Sequence, residues 1–248
     1  MLKFLGNSSK YLSLFFAFLF LLPLSVHGAV FWSKGWEKSW RNADWSSAAI
    51  LPNANERPEA TISVYAARTG RWKGIFAVHS WIVVKDRNAR SWERYEVVGW
   101  GAPIRKNAYA ADARWYGNEP MLVGTISGDQ AEALIPKVRA AVERYPYGAR
   151  GDYSIWPGPN SNTFVATILR ETPELNLSLP PTAVGKDYLA DGSWFTASKN
   201  GLKVSVKGLF GFSIGGPEGL EVNILGLVAG IDWQHPALKL PGFGRLGV

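Results

Sequence analysis

The sequence predicts an α+β fold: an antiparallel sheet with two or three helices, followed by a C-terminal β-hairpin extension. Three observations carry this. β-type runs fill the stretch from Pro58 to Gly101, one later run repeats its apolar residues at helical spacing, and two further β-type runs lie beyond Pro180. With 248 residues, 47% hydrophobic and 19% charged, the chain can bury a core in one or two domains.

The N-terminus comes first. Lys3 and Lys10 lead into "YLSLFFAFLFLLPL" and then "SVHGA", the basic, apolar and small-residue zones of a secretory signal. Val26 and Gly28 suit the −3 and −1 positions of a cleavage site after Gly28. Residues 1–28 are therefore expected to be a signal peptide or, if retained, an N-terminal membrane anchor, and the rest of the chain lies outside the cytoplasm. The apolar zone before Pro23 is about a dozen residues, short of the roughly 20 that span a bilayer. Residues 29–57 read as a Trp-rich linker. Trp32, Trp36 and Trp40 follow one helical face, with Trp45 beyond; mixed with Lys and Arg they suit either a lid packed on the domain or a membrane interface.

Residues 58–190 are expected to form the α+β core. "ATISVYAAR" alternates, with Ile62, Val64 and Ala66 on one face. "IFAVHSWIVV" is a buried central strand whose only polar side chains are His79 and Ser80, and "WERYEVVGW" is a third strand. The next thirty or so residues, punctuated by Pro103, Gly117 and Pro120, read as irregular. "SGDQAEALIPKVRAAVERY" is the clearest helix, capped by Ser127 or Asp129 and carrying Pro136 inside. "NTFVATILRE" pairs Phe164 with Ile168 and Val165 with Leu169 at helical spacing, so it is a short helix ending before Pro173. Residues 191–248 are expected to be a β-rich extension packed on the core. There "GLKVSVKGLFGFSIGG" and "GLEVNILGLVAGIDW" flank the turn "GGPEG", and "PALKLPGFGRLGV" forms a tail lying across the sheet.

Composition excludes several chemistries. The absence of cysteine removes disulfides, thiolate metal sites and a cysteine nucleophile. No carboxylate cluster has ligand-like spacing, and "GFSIGG" lacks the helix a phosphate loop requires, so no metal or cofactor is expected. The net charge of +7 comes without a basic run or recognition module, which argues against nucleic acid and suits a solvated surface or an anionic membrane or wall polymer.

Candidate chemistry rests on few residues. His79 interrupts a strand that otherwise tolerates almost nothing polar, and imidazole is the side chain suited to acid–base work near neutrality. Ser161 precedes a helix, where backbone N–H groups stabilise developing negative charge. Glu96, on the neighbouring strand, would orient the histidine if the register puts both on one face. Asn160, Ser161, Asn162 and Thr163 are four capping candidates for one position, leaving Asn160 and Asn162 as candidate ligand-binding groups. Trp81, Trp100, Tyr153 and Trp156 are candidate walls of the same groove.

The segments "FAVHSWIVVK…RYEVVGWG", "WPGPNSNTFVATILRETPEL" and "LPPTAVGKDYL", with "ALKLPGFGRLG" at the end, resemble the bacterial family of domain of unknown function 3750. That resemblance implies a Gram-negative cell-envelope protein, periplasmic or anchored to the inner membrane, and brings no activity with it. The order of histidine strand, acidic strand and Asn-containing turn opening a helix also looks like the circularly permuted papain-like peptidases and amidases. By that likeness His79 takes the place of the base and Ser161 that of the nucleophile, with serine standing where cysteine is usual. Two functions follow. The favoured one is a non-catalytic envelope module binding peptide, glycan or lipid in a papain-like groove, associated with the membrane surface. The alternative is a serine-dependent hydrolase or acyl/peptidyl transferase on envelope material.

Overall fold

β-branched and aromatic runs pair as their alternation requires, and the helical periods cover one face of the sheet they form. The computed structural model of the chain describes residues 10–11, 13–35, 39–199 and 201–247. Lys3 and Trp36 lie outside the described residues.

Helix α1 runs Ser13–Lys34, 22 residues or about 33 Å, and by length and composition it can cross a hydrocarbon core of about 30 Å. The apolar segment is thus longer than expected, because Pro23 does not end it. A π-helical turn at Ala17–Leu21 precedes the proline, with Leu22 N–H reaching back to Ala17 O, and the chain continues helical past Val26 and Gly28. Gly35, at φ 70°, ends it, so Trp40 does not extend the helical face that Trp32 begins. Trp32 and Trp40 are exposed, whereas Trp45 packs against Tyr109, Trp115 and Tyr116.

Strands β1 (Thr61–Arg68), β2 (Val78–Lys85), β3 (Glu93–Val97), β4 (Ile104–Lys106) and β5 (Met121–Ser127) form an antiparallel sheet in the order β4-β3-β2-β1-β5. β4 and β5 occupy the stretch expected to be irregular. Pro103 and Pro120 sit just before these strands, and β5, an edge strand with exposed Met121 and Leu122 and a bulge at Val123, shows too little alternation to be recognised.

Helices α2 (Asp129–Arg144) and α3 (Ser161–Glu171) share a core with one face of this sheet. Phe164, Val165 and Ile168 join Ile62, Val64, Val78 and Ile82 there, each large side chain contributing roughly 1.5–3 kcal/mol by leaving water. The cap of α2 is Gly128, at φ 74°, rather than Ser127 or Asp129, and its N–H donates to Ala60 O just ahead of β1. The opposite face carries a second apolar cluster of Tyr65, Trp81, Val83, Val98 and Trp115.

Seven strands make the second sheet: β6 (Phe195–Ser198), β7 (Gly201–Val206), β8 (Phe210–Gly215), β9 (Gly219–Ile224), β10 (Leu227–Asp232), β11 (Ala237–Leu240) and β12 (Gly244–Gly247). Neighbours in sequence are neighbours in space. The turn "GGPEG" does join two paired strands, β8 and β9, but each flanking run is itself a hairpin. The two-residue turn Leu225–Gly226 has both φ values positive, the type I′ requirement, without the Asn-Gly or Asp-Gly pair that would announce it. The tail does not lie across the sheet; it extends the sheet as β11 and β12, since its alternating residues 237–240 find a free edge on β10.

Candidate functional site

The register of β2 on β3 pairs Ile82 with Tyr95 and Val83 with Arg94. Continued, it sets Glu96 across from Trp81 and leaves His79 two positions along on the same face. Direct opposition is not realised, but a shared face is. His79 Nε2 lies 2.8 Å from Glu96 Oε2, and Arg94 Nη2 donates to the same oxygen at 2.8 Å. Arg94 also donates from Nη1 to Ala110 O and stacks over the Trp81 ring at 4.0 Å. His79 lies flat on Trp115, with ring centroids 3.6 Å apart and planes 7° apart.

The electrostatics follow from burial. Burial opposes charge on Glu96, yet the bonds from His79 and Arg94 outweigh it and hold the carboxyl below its ordinary value. Burial also holds His79 below the ordinary imidazole value, despite the carboxylate beside it. The trio is therefore an ionised Glu96–Arg94 pair with a neutral histidine. A carboxylate only accepts, so the imidazole proton sits on Nε2 and Nδ1 keeps its lone pair. Glu96 Oε1 and Arg94 Nε are buried without a hydrogen-bond partner.

Helix α3 opens on a complete capping box. Asn160 Oδ1 accepts from the amides of Asn162 and Thr163, and Thr163 Oγ1 accepts from Asn160 N. Asn160 Nδ2 donates to Ile155 O and Val184 O. Asn162 Nδ2 donates to Val78 O and Val184 O, both at 2.9 Å, and Ser80 Oγ donates to Asn162 Oδ1 at 2.8 Å. Asn162 thus clamps the helix start to both neighbours of His79. Gly185 closes this packing: its φ of 95° disfavours other residues, and a Cβ there would lie 2.3 Å from Asn160 Nδ2. Asn160 and Asn162, expected as ligand-binding groups, have their hydrogen bonding spent inside the protein. Ser161 alone among these polar residues has neither its hydroxyl nor its amide bonded to a protein group, and it lines the adjacent cleft.

That cleft has a volume of about 970 Å³, within the usual range for ligand sites. His79 and Ser161 both line it, with Trp100, Tyr153 and Trp156. No hydrogen bond joins the Ser161 hydroxyl to His79. The pleat turns Ser80 toward α3 and His79 to the opposite face, so the two reach the cleft from either side of the sheet's end. Trp81 is not a wall. It is fully buried beneath the site, donating from Nε1 to Ala111 O, because the inward pleat position that aligns it with Tyr65 removes it from the surface. Sequence reasoning missed Trp72, Phe76, Trp115 and Tyr116, which lie in turns and irregular stretches without periodicity. It also missed Leu24, Leu225 and Leu227, contributed by α1 and the second sheet. Burial pushes the Tyr153 phenol up to about 12, so it stays protonated.

Among the described residues, Asp187, Glu218 and Glu221 bring carboxylate oxygens within 4.8 Å of one another, as metal ligands would. Lys186, Lys203 and Lys239 already bond these carboxylates, so ammonium groups supply the positive charge.

Fold and site define a two-sheet α+β protein with a buried histidine–carboxylate–arginine cluster at the mouth of an aromatic cleft. Residues 59–188 match the family described as protein of unknown function (DUF3750), and the chain belongs to that family. No curated protein and no solved structure matches it.

Proposed function

We propose that this is a cell-envelope protein, exported and held at the inner membrane by α1, whose cleft binds an amphiphilic envelope molecule: a lipid or a lipid-linked peptide or glycan. The observation that carries this reading is the lining. Seven aromatic side chains, Trp72, Phe76, Trp100, Trp115, Tyr116, Tyr153 and Trp156, face a cleft whose one formal charge among the described residues is Lys73, which suits a long apolar group ending in one anionic head. The test is photolabelling of the full chain in micelles with a diazirine fatty acid. Adducts on the cleft aromatics, lost in Trp100→Ala and Trp156→Ala, are expected. Adducts scattered over the surface and indifferent to both substitutions would overturn the reading.

A second reading, serine-dependent acyl transfer, is favoured by the unbonded Ser161 hydroxyl and amide and by the free Nδ1 lone pair of His79. Ser161 would attack an acyl carbon, His79 would take its proton and give it to the alcohol or amine leaving as the acyl bond breaks, Glu96 would fix the imidazole tautomer, and the Ser161 N–H would meet the oxyanion. Labelling by a fluorophosphonate, abolished by Ser161→Ala and reduced by His79→Ala, would establish this over simple binding. Absence of labelling leaves the cleft a binding site only.

A further inference from the structure

The second sheet is built inside out. Along one row of cross-strand partners stand Leu202, Ile214, Leu220, Ile231, Leu238 and Leu246, running from β7 to β12. At strand spacings of about 4.8 Å this apolar row is about 24 Å long. The residues from Ile214 onward are 37–55% exposed. The adjacent row, one residue along each strand, contains Lys203, Ser213, Glu221 and Lys239, and all four are buried. Val204, Phe212 and Val222 extend the apolar face.

An antiparallel sheet beside water normally turns its apolar face to the core and its polar face outward. Here the buried face is ionic, and its charges are matched. Lys186, Lys203 and Lys239 bond Asp187, Glu218 and Glu221, and Asn223 donates to Asp187. The orientation is therefore locked by these bonds, and a register slip that turned the apolar row inward would put the ammonium groups outside. Polar inside and apolar outside is the pattern of a sheet whose outer medium is hydrocarbon. Contiguous exposed apolar surface of this extent marks an interaction face.

The neighbourhood identifies the medium. Residues 17–21 of α1 contact β10, and His27 of α1 stands edge-on to Phe243, with ring centroids 5.1 Å apart. The side chains of Leu14, Phe15, Phe18 and Leu22 on α1 are exposed and apolar as well, on the helix that touches β10. Trp194 and Trp233, both exposed, stand just outside β6 and β10, the residue type that favours the headgroup level. A second copy of the chain would cover the sheet and leave α1 in water, whereas one lipid surface covers both. With strands β6 and β12 as open edges, such a sheet rests on a bilayer and does not span it.

We propose that the apolar face of the second sheet lies on the lipid bilayer that α1 enters, docking the body of the protein against the acyl-chain boundary. This rests on the anchor reading of α1 and is independent of what the cleft binds.

The chain has no cysteine, so single labels are clean. Full-length Ile214→Cys, Leu238→Cys, Phe18→Cys and Leu122→Cys carry an NBD fluorophore and are reconstituted into vesicles with or without doxyl-labelled lipid. Positions 214 and 238 are expected to be quenched about twofold by the doxyl group, as for side chains roughly 5–10 Å into the interface, with Phe18→Cys quenched and Leu122→Cys, on the other sheet, unquenched. Labels at 214 and 238 that iodide quenches from water, as at 122, would overturn the proposal. So would labels shielded from both quenchers, which means a second copy covers the face. Quenching at 18 alone leaves the anchor and refutes the docking; no quenching at 18 refutes both.

Discussion

Replacing Glu96 with glutamine removes one negative charge and almost no volume, and the structure sets what that should cost. Arg94 and Glu96 have no side-chain exposure, and besides Glu96 the guanidinium's bonded acceptor is Ala110 O. Breaking a buried ion pair from one side costs about 3–5 kcal/mol, because the remaining charge is stranded. The amide oxygen still accepts one bond, which places Glu96→Gln near the lower end, about 3 kcal/mol. In a domain of this size each kcal/mol moves the midpoint by about 2–4 °C, so a fall of roughly 6–12 °C is expected. Thermal unfolding of the full chain in micelles, followed by near-ultraviolet circular dichroism of its aromatic clusters, reads this directly. The double variant Arg94→Met/Glu96→Gln should recover most of the loss, since no charge is then left unpaired. A Glu96→Gln midpoint within about 2 °C of the parent, less than 1 kcal/mol, would refute the claim that Glu96 is the ion balancing Arg94.

The remaining predictions concern the histidine and the helix clamp. His79 has its protonation suppressed by burial, so below its ordinary value of 6.5 the unfolded chain binds a proton that the native chain refuses. Its contribution is fully present above pH 6.5 and is lost as pH falls toward the native value, at up to about 1.4 kcal/mol per pH unit. Urea midpoints from pH 7.5 to 5.5 should therefore fall more steeply in the parent than in His79→Gln; His27, also held low by burial, titrates in both and cancels. Parallel slopes would contradict a neutral buried His79. Asn162→Ala removes three hydrogen bonds that hold α3 to β2 and to Val184, leaving Ser80 Oγ and two carbonyls without that partner. A loss of about 3 kcal/mol in urea unfolding is expected, at roughly 1 kcal/mol per bond. A loss below about 1 kcal/mol would mean the helix start is held by the Asn160 box alone.

Much of this site was legible because its residues violate local expectation. His79 is conspicuous in a strand that admits almost no other polar group, and Glu96 follows from it by simple alternation once the strands are neighbours. The crowd of polar residues at the start of α3 exceeds what one cap needs, and the surplus holds the helix to β2 and to residues 184–185 rather than a ligand. What alternation could not supply was the division of labour, since Asn160 and Asn162 answer to carbonyls from Val78 and Val184, far away in sequence, as well as to nearby Ile155. Trp81 and Trp115 were exchanged for the same reason: period alone does not say which face of a sheet is roofed over. Trp81 lies under the stretch bearing Ala111, and Trp115, from a stretch with no period, becomes the surface on which His79 lies. The second sheet shows the limit most plainly. Its strands alternate cleanly, and alternation fixes two unlike faces, but only the lysine–carboxylate bonds determine that the charged face is the buried one.

The boundary of the family match sharpens what the cleft is for. Residues 59–188 carry the His79–Glu96–Arg94 cluster, the α3 clamp and Ser161, along with Trp100, Trp115, Tyr153 and Trp156. Three walls come from outside it: Leu24 from α1, Leu225 from the β9–β10 turn and Leu227 from β10. These added walls are all leucine, and Leu225 is fastened to the family core by Trp156, whose Nε1 donates to its carbonyl at 2.9 Å. Leu227 belongs to the same pleat face as Ile231 in the apolar row, with buried Ala229 between them. If that surface rests on lipid, an acyl chain could pass from bilayer to cleft along leucine without crossing water. Polar substitution of Leu227 should then slow photolabelling by a membrane-partitioned fatty acid while leaving labelling by a water-soluble short-chain analogue unchanged; equal loss with both probes would mean the leucines shape the pocket and do not form its entrance.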